Sequence, residues 1–361
     1  MRVLLDCRMA TWSGIGRYSR GLARSLARTD GVEIIQVIEE GTVAPVPEAE
    51  THVARVHPFY PMGGFELGSI VRRVRPDLTH CLHVPTPLPA RHPLAVTIHD
   101  LTPIVMPQVM PSTLRRTAYR LWNVRAAWDA DRLLANSNAT KADLLRYFPR
   151  SNGRVSVVLH AIDDFAAIEP APIPPQLVGD GSPYLLSMGN TKPNKDLPTL
   201  LRAFEILHTA RPELRLLLVG RDCPDYVTTV LGDVPAAARV AFTGHVEDGV
   251  LRSLYAGAVA FVFPSRYEGF GLPPLEAMVS GTPVVCTTAA SLPEVVGDAA
   301  LTFQAGDVRE AAGRIAEVLD DPALCDRLVQ AGFARSALFT WERTAAGTAR
   351  AYRELIESHA T

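Results

Sequence analysis

The amino-acid sequence predicts an α/β protein with two doubly wound parallel sheets. Short apolar runs alternate with longer segments of helical periodicity in both halves of the chain, a pattern typical of parallel sheets covered by helices. The 361 residues are enough for two domains. A proline-rich segment at residues 168–183 lies between the two halves and is interpreted as an interdomain linker. We therefore expect one domain at residues 1–167 and the other at residues 168–341.

The composition excludes several classes of protein. Apolar residues make up 47% of the chain, which supplies large cores, and the formal net charge of −2 argues against bulk binding of nucleic acid. The five cysteines include no C-x-x-C pair, which is typical of reduced thiols in a cytosolic protein. The sequence shows neither a signal-peptide apolar region nor an 18-residue apolar run. The prediction is a cytoplasmic protein without a membrane-spanning helix.

Residues 261–281, FVFPSRYEGFGLPPLEAMVSG, form the most informative stretch. Its apolar start predicts a buried strand that ends at Pro264. A loop with Gly269 and Gly271 follows, and LPPLEAMV then predicts a helix that ends before Gly281. The unpaired N–H groups and the dipole of a helix N-terminus favour a phosphate, and glycines allow it to approach the backbone closely. This unit is therefore a candidate diphosphate site.

Two carboxylates belong to the same unit. Glu268 lies in the loop, and Glu276 follows eight residues later on the predicted helix. Carboxylates on either side of a phosphate site can accept hydrogen bonds from sugar hydroxyls, so the unit suits a nucleotide sugar. Spacing alone is equally consistent with an ordinary strand–loop–helix that carries two surface glutamates.

The first half opens with a similar unit. Residues 2–5 predict a strand, and Gly14 and Gly16 predict flexible backbone just before a helix. The glycine segment is interpreted either as a loop that closes over a substrate phosphate or as a tight strand-to-helix turn.

Polar side chains follow two predicted strands of the first half. Residues 95–98 predict a strand that delivers His99 and Asp100 to its carboxyl end, where ligands bind in open α/β sheets. Asp100 is interpreted either as a proton acceptor or as the cap of the next turn. Residues 78–82 predict a second strand that leads to His80 and His83. The spacing of these two histidines could suit a metal, but no carboxylate or cysteine cluster accompanies them, which favours packed or cleft-lining histidines.

The helix predicted over residues 112–128 is basic and amphipathic. It combines apolar side chains with four arginines: Arg115, Arg116, Arg120 and Arg125. Such a helix can lie on an anionic membrane surface, which would place the protein at the inner face of the membrane. An ordinary packed helix with a solvated arginine face is the favoured alternative.

The second half begins with a strand at residues 184–188 and the loop GNTKPNK. Lys195 stands directly before the next predicted helix, where a cation can neutralise a diphosphate, although an exposed lysine would fit the position as well. Further strands are predicted at residues 214–219, 240–243 and 283–286, and further helices at residues 308–320, 322–336 and 339–358.

Several of these segments together resemble one family. The stretch PSRYEGFGLPPLEAM with the following GTPVV resembles the E-x7-E signature of retaining glycosyltransferases of family four, which have the GT-B fold. SGIGRYSRGL, TIHDLTPI, ANSNATKADL and GNTKPNK are similar to other segments of that family. The resemblance implies two Rossmann-like domains that face a central cleft. Residues 1–167 would bind the acceptor and be joined by the C-terminal helix 342–361, and residues 168–341 would bind the nucleotide sugar.

The resemblance also implies roles for individual residues. His99 would line the sugar pocket, Glu268 would position the donor sugar, and Lys195 would stabilise the diphosphate, with Asp100 as a further catalytic candidate. Glu276 would hold ribose hydroxyls. The residues expected to contact the donor are Gly14, Gly16, Gly189, Asn190, Lys195, Gly244, His245, Val246, Gly269, Phe270, Gly271, Leu272 and Glu276. Asn190 departs from the family pattern, which has a basic residue there, and Lys192 or Arg266 is the candidate replacement.

The predicted function is the retaining transfer of a hexose from a nucleoside diphosphate sugar to a hydroxyl of a glycan, lipid-linked or natural-product acceptor. GDP-mannose and UDP-hexoses are the expected donors. No cofactor is expected, since the nucleotide sugar is the donor substrate. The sequence has no D-x-D motif in the expected loop context, so a metal requirement is not implied. Two alternatives remain: a nucleotide-sugar hydrolase or epimerase on the same fold, and a non-catalytic nucleotide-sugar-binding protein.

Overall fold

The computed structural model describes residues 1–91, 93–179, 181–221 and 223–360. The strands are β1 (Arg2–Asp6), β2 (Glu33–Glu39), β3 (Glu50–Ala54), β4 (Leu78–Cys81), β5 (Leu94–Ile98), β6 (Arg132–Ala135), β7 (Val155–Val157), β8 (Tyr184–Met188), β9 (Arg215–Val219), β10 (Val240–Phe242), β11 (Ala260–Phe263), β12 (Val284–Thr287) and β13 (Leu301–Phe303). The helices are α1 (Ser13–Leu26), α2 (Pro61–Val74), α3 (Thr102–Val105), α4 (Thr113–Asp129), α5 (Asn138–Tyr147), α6 (Asp163–Ala166), α7 (Pro175–Val178), α8 (Leu197–Ala210), α9 (Pro224–Leu231), α10 (Asp248–Gly257), α11 (Leu272–Val279), α12 (Leu292–Val296), α13 (Val308–Asp320), α14 (Pro322–Ser336) and α15 (Trp341–Ala360). No helix in these ranges is long and apolar enough to cross a membrane.

The chain divides into two compact units. The first contains Met1–Ala161 and Phe339–Thr361, and the second contains Ile162–Leu338. The division falls at Ala161 instead of residue 167. The residues just before the proline-rich segment already pack in the second unit, where the Phe165 ring lies 6.1 Å from the Tyr255 ring, and the proline-rich segment packs there too. Within that segment, the Ala171 N–H donates to the Gly249 carbonyl (3.0 Å), and the Ala171 carbonyl accepts from Ser253 Oγ (2.6 Å). The segment expected to be a linker is therefore part of a folded unit.

The first unit is built on a seven-stranded parallel sheet with the strand order β3-β2-β1-β4-β5-β6-β7. Successive residues of β1 point to opposite faces, as the pleat requires. Val3 and Leu5 pack with Leu22 of α1 on one face, and Leu4 packs with Leu67 of α2 on the other. Helices therefore cover both faces of this sheet, as in other doubly wound folds.

The C-terminal helix α15 belongs to the first unit and packs against α1. A Cβ atom added at Gly21 of α1 would lie 2.1 Å from the Trp341 ring, so only glycine allows this approach of the two helices. The Thr344 hydroxyl donates to the Leu159 carbonyl (2.8 Å) at the end of the same helix pair.

The second unit is built on a six-stranded parallel sheet with the order β10-β9-β8-β11-β12-β13. One face is covered by α8 and α13, whose Phe204 and Ile315 pack with Leu216, Val262 and Val285 of the central strands. The two sheets confirm the predicted fold class. In each sheet, successive strands are added first on one side of the initial strand and then on the other. The change of side falls between β1 and β4 in the first sheet and between β8 and β11 in the second, and it defines a topological switch point.

In the first unit the structure adds one strand that the sequence did not predict and corrects one local expectation. Strand β3 lies in the polar, proline-rich stretch of residues 40–65, which has no clear apolar period. Gly14 and Gly16 lie inside the first turn of α1 instead of in a loop before it. A Cβ atom at Gly16 would stand 2.5 Å from the Ala10 carbonyl oxygen, so packing explains this glycine.

Candidate functional site

The predicted site residues of the second unit come together at its switch point. Gly189 and Lys195 follow β8, and Glu268 follows β11, the two strands that flank the reversal. Parallel strands place their carboxyl ends at one edge, and the crevice at a switch point is where open α/β sheets bind ligands.

Lys195 and Glu268 contact each other directly. Lys195 Nζ lies 2.6 Å from Glu268 Oε1, and the two side chains are 20% and 14% exposed. The ammonium group also lies 5.1 Å from the centroid of the Phe263 ring, within range of a cation–π interaction. The structure therefore places a cation and a carboxylate together at the strand edge.

The loop after β11 leads directly into α11. Gly271, the residue before the helix, has φ +115° and ψ 58°, a conformation that side chains with a Cβ rarely adopt. No side chain caps this helix start. Pro273 and Pro274 have no N–H, so the donors of the first turn come from Gly271 and Leu272. Ser291 Oγ fixes the loop by hydrogen bonds to the Phe270 carbonyl (2.5 Å) and the Glu268 carbonyl (3.0 Å).

Glu276 lies one turn into α11 and is only 6% exposed. The Tyr255 hydroxyl of α10 donates to Glu276 Oε2 at 3.1 Å. The Tyr255 carbonyl in turn accepts from the Thr282 hydroxyl at 2.6 Å. This arrangement fixes the orientation of the carboxylate.

A second ion pair joins the loops after β8 and β11. Arg266 Nε lies 2.8 Å from Asp196 Oδ2, which also accepts from the Thr199 hydroxyl at 2.7 Å. The Arg266 N–H donates to the Asn194 carbonyl at 2.7 Å. Arg266 was a candidate replacement for a basic residue at position 190, but in the structure its side chain pairs with Asp196. Sequence reasoning did not identify this pair because the partners are 70 residues apart.

The remaining predicted donor contacts lie at neighbouring strand ends. A Cβ atom at Gly189 would lie 3.1 Å from Leu218 and Phe242, which explains a small residue there. Asn190 is exposed, and its Oδ1 accepts from the Lys192 N–H at 3.0 Å. The Gly244 carbonyl accepts from the Gly220 N–H at 3.2 Å. After Gly244, His245 is exposed and Val246 is half-buried.

In the first unit, His99 and Asp100 follow β5 as predicted. His99 Nε2 lies 2.9 Å from the Leu82 carbonyl oxygen, and burial lowers the pKa of His99. The neutral ring must donate from Nε2 to this carbonyl, which leaves Nδ1 as an acceptor. Asp100 Oδ1 accepts from the Thr102 N–H at 2.7 Å, so the aspartate caps the following turn.

Three other histidines lie around His99, of which His80 and His160 are buried and His83 is half-buried. Burial lowers the pKa of His80 to about 3, that of His83 to about 3, and that of His160 well below its usual value. Repulsion from His99 in its protonated form acts in the same direction on each. His80 bridges Tyr352 of α15 (2.6 Å) and Thr97 of β5 (2.8 Å). The described residues include no group of three or more His, Cys, Asp or Glu side chains suited to a metal. The packed interpretation of His80 therefore agrees with its hydrogen bonds.

Comparison with known proteins identifies the family. Residues 173–335 match the model described as glycosyl transferases group 1, and residues 12–164 match the model described as glycosyltransferase family 4. The chain belongs to this family of glycosyltransferases. It is 35% identical over 281 residues to O-antigen chain mannosyltransferase B of Escherichia coli. The aligned region covers 74% of this chain and 72% of that protein. It is 29% identical over 239 residues to the serotype-specific mannosyltransferase WbdA of Escherichia coli and spans 29% of that longer protein.

Solved structures show the fold of this glycosyltransferase. Sucrose-phosphate synthase from Thermosynechococcus elongatus superposes with a TM-score of 0.77 at 22% identity, covering 99% of this chain and 100% of the other. HepE of Anabaena, solved in complex with UDP-glucose, superposes with a TM-score of 0.72 at 19% identity, covering 98% and 100% of the two chains. The predicted GT-B fold is thereby confirmed.

Proposed function

We propose that the protein transfers a hexose from a nucleoside diphosphate sugar to a hydroxyl group of a glycan or lipid-linked acceptor, with retention of anomeric configuration. The observation that supports this most directly is the contact between Lys195 and Glu268 beside the start of α11. A cation, a carboxylate and a helix N-terminus at one strand edge are the groups that a diphosphate joined to a polyol requires.

In this proposal the second unit holds the diphosphate. Lys195 and the N–H groups of Gly271 and Leu272 bind its oxygens, with the backbone of Gly269 and Phe270 completing the loop. Negative charge grows on the leaving phosphate as the glycosidic bond breaks. Donors held in place before the reaction stabilise that charge without reorganising. No metal ion is required, because Lys195 and the helix dipole supply the positive field.

The carboxylates select the two ends of the donor. Glu276, fixed by Tyr255, accepts hydrogen bonds from ribose hydroxyls, and Glu268 accepts one from the donor sugar. The loop at Gly244 meets the base through its backbone. His99, in the first unit, presents Nδ1 as a hydrogen-bond acceptor for a sugar hydroxyl. The acceptor hydroxyl attacks on the face that the phosphate leaves, and the phosphate takes its proton.

The relatives support two candidate donors. The similarity to O-antigen chain mannosyltransferase B supports a mannosyl donor in glycan assembly. The structural likeness to HepE in complex with UDP-glucose makes a uridine nucleotide the second candidate. We favour GDP-mannose, because the mannosyltransferase shares the higher sequence identity.

A thermal-shift screen with UDP, GDP, ADP and TDP, with and without magnesium, tests nucleotide binding. A ligand at 100 times its Kd stabilises a fold by about 2.7 kcal/mol, which raises the unfolding midpoint visibly. The response should disappear in Glu276→Ala and persist in Glu317→Ala, whose exposed carboxylate pairs with Arg314 on α13. No response to any nucleotide would refute the proposal.

Product analysis then separates transfer from the alternatives. Incubation of the responding nucleotide sugar with the protein and a glycan acceptor should give a new glycoside with the anomeric configuration of the donor, readable by proton NMR. Release of free sugar or an epimerised donor at the same rate without acceptor would indicate a hydrolase or an epimerase. Binding without turnover would indicate a non-catalytic protein.

The helix α4 supports a further proposal, peripheral contact with anionic lipid. Leu114, Leu121 and Trp128 are exposed and recur every seven residues, so they share one face of the helix. Arg115 and Arg120 are exposed beside them. The other two arginines bond within the unit. Arg116 Nη1 donates to the Met110 carbonyl (3.4 Å), and Arg125 Nη2 lies 2.8 Å from Asp129 Oδ2.

Vesicle co-sedimentation tests this contact. Binding to phosphatidylglycerol vesicles but not to phosphatidylcholine vesicles is expected, because cations beside an apolar stripe favour anionic interfaces. Leu121→Asp should abolish it. Equal binding of wild type and Leu121→Asp would contradict the proposal.

A further inference from the structure

Six aromatic rings form a connected cluster in the first unit, which we name the aromatic surface: Trp12, His57, Phe59, Tyr60, His83 and Trp122. The Trp12 ring lies 5.9 Å from the Phe59 ring at an interplanar angle of 30°, and 5.9 Å from the His57 ring. Phe59 in turn packs edge-on against His83 at 5.6 Å. One side of Trp12 is therefore held against other rings.

The outer members of the aromatic surface remain accessible. Trp12 is 38% exposed and Tyr60 is 63% exposed, although both pack against ring neighbours. Large aromatic side chains held in place but left partly open are typical of ligand-binding surfaces, because they offer contact area without losing rotamer freedom on binding.

The aromatic surface lies at the switch point of the first sheet. Trp12 follows β1 and His83 follows β4, the two strands between which the strand order reverses. The ring contacts then continue from His83 to His99 at the end of β5, with 5.8 Å between centroids. The surface thus extends from the carboxyl edge of the sheet, where open α/β sheets bind ligands, to solvent.

Hydrogen bonds hold the segment that carries the rings of His57, Phe59 and Tyr60. Glu66 accepts from the N–H groups of Arg55 (3.0 Å) and Val56 (2.9 Å). The buried Arg8 donates to the Gly63 carbonyl (2.9 Å) and is itself paired with Asp6 (2.7 Å). The rings are therefore positioned before any ligand arrives, which reduces the entropic cost of binding.

We propose that the aromatic surface binds a hexopyranose residue of the acceptor, with the apolar C–H face of the sugar stacked on Trp12. The Tyr60 hydroxyl and the His57 ring supply polar atoms at the edge for sugar hydroxyls. This inference rests on the proposed function, because it names the chemistry of the acceptor for the same reaction. An aromatic ring beside polar groups suits a pyranose better than a lipid chain, which offers no hydroxyls.

Saturation-transfer NMR with methyl α-mannopyranoside, methyl α-glucopyranoside and methyl α-galactopyranoside tests the inference. At least one glycoside should receive saturation at its ring protons. The signal should fall at least fivefold in Trp12→Ala, fall less in Tyr60→Ala, and recover partly in Trp12→Phe, which keeps an aromatic ring. Trp128→Ala is the matched control, since Trp128 is 61% exposed on α4 and lies outside the cluster, and it should bind as the wild type does.

Three outcomes would overturn the inference. They are no binding of any glycoside, equal binding by wild type and Trp12→Ala, and Trp12-dependent binding to phosphatidylglycerol vesicles without glycoside binding, which would assign the surface to a membrane. A nucleotide thermal-shift measurement on the same samples tests the proposed function independently of glycoside binding. Glycoside binding that depends on Trp12, without any nucleotide response, would retain the aromatic surface as a sugar site and refute the transferase mechanism.

Discussion

Replacing Glu268 by glutamine should strengthen binding of the free nucleoside diphosphate while weakening the extra affinity that the donor sugar provides. In the structure Glu268 Oε1 lies 2.6 Å from Lys195 Nζ, so the carboxylate neutralises the ammonium group to which the proposed function assigns the diphosphate. A diphosphate has to share or displace this contact. Glutamine keeps the size of the side chain and an acceptor oxygen but removes the competing negative charge.

The expected size follows from the exposure of the pair. Exposed ion pairs contribute about 0–1 kcal/mol net, because solvent screens them and ordering two side chains costs entropy. The side chains here are 14% and 20% exposed, so we take the upper value of about 1 kcal/mol. That energy corresponds to about fivefold tighter binding of the nucleoside diphosphate. Lys195→Met should act oppositely and lose about 1.5–3 kcal/mol, or roughly tenfold to 150-fold in Kd, because it removes a charge-assisted hydrogen bond.

Isothermal titration calorimetry of both variants with the nucleotide selected by thermal shift, and with its sugar conjugate, measures these changes. Glu317→Gln serves as the control for a carboxylate outside the site. Weaker binding of the free nucleotide by Glu268→Gln, by the same factor as the sugar conjugate, would refute the reasoning. Glu268 would then support the site as a whole instead of competing for Lys195.

Three further predictions concern nucleotide binding and the stability of the first unit. Tyr255→Phe removes the donor to Glu276 and should weaken nucleotide binding about fivefold in the same calorimetry, corresponding to about 1 kcal/mol for one hydrogen bond. Gly21→Ala should destabilise the first unit by about 1–3 kcal/mol, since the new Cβ overlaps the Trp341 ring. Lowering the pH below about 6.5 should destabilise the first unit, because burial holds the pKa of His80 at about 3 while the unfolded chain binds the proton near 6.5. The loss for this residue reaches about 1.4 kcal/mol per pH unit between those values and is absent above 6.5.

Tryptophan fluorescence during urea unfolding measures the last two effects, because all four tryptophans lie in the first unit. Gly14→Ala is the matched control for Gly21→Ala, since a Cβ at Gly14 meets nothing within 4 Å on the same helix. Equal stability of the two variants would contradict the close packing of α1 and α15. If the pH dependence of stability is unchanged in His80→Gln, another group causes the loss of stability at low pH. Nucleotide binding by Tyr255→Phe as tight as that of the wild type would exclude an orienting role for the hydroxyl.

Much of the candidate site in the second unit could be predicted from the sequence because its residues lie close to elements with strong local signals. The apolar run before Pro264, the glycines of the loop and the helix after it predicted where Glu268 and Glu276 stand relative to a strand end. Lys195 was placed before a helix by the same logic. Periodicity could not predict that Lys195 and Glu268 touch, since 73 residues separate them and only the pairing of β8 with β11 brings their loops together.

Asp100 illustrates the limits of local interpretation. The sequence left it between a proton acceptor and a cap. Its hydrogen bond to the Thr102 N–H agrees with the cap, and its role as a proton acceptor stays a prediction. The glycines of α1 were predicted as a flexible loop, whereas Gly16 allows close contact with Ala10 inside a helix. In both cases the residue type was informative, and the neighbour that decides its role was not visible in the sequence.

The sequence by itself determined the alternation of strands and helices, the two-domain α/β class and the resemblance to the glycosyltransferase family, because these depend on apolar period and on contiguous motifs. Only the tertiary structure decided which side chains meet. The Lys195–Glu268 contact, the Tyr255–Glu276 hydrogen bond and the aromatic surface around Trp12 join segments distant in the chain. Strand order determines which loops are neighbours at the edge of a sheet and therefore which of these contacts form. That order follows from how whole helices cover the sheets, and local sequence does not specify this packing.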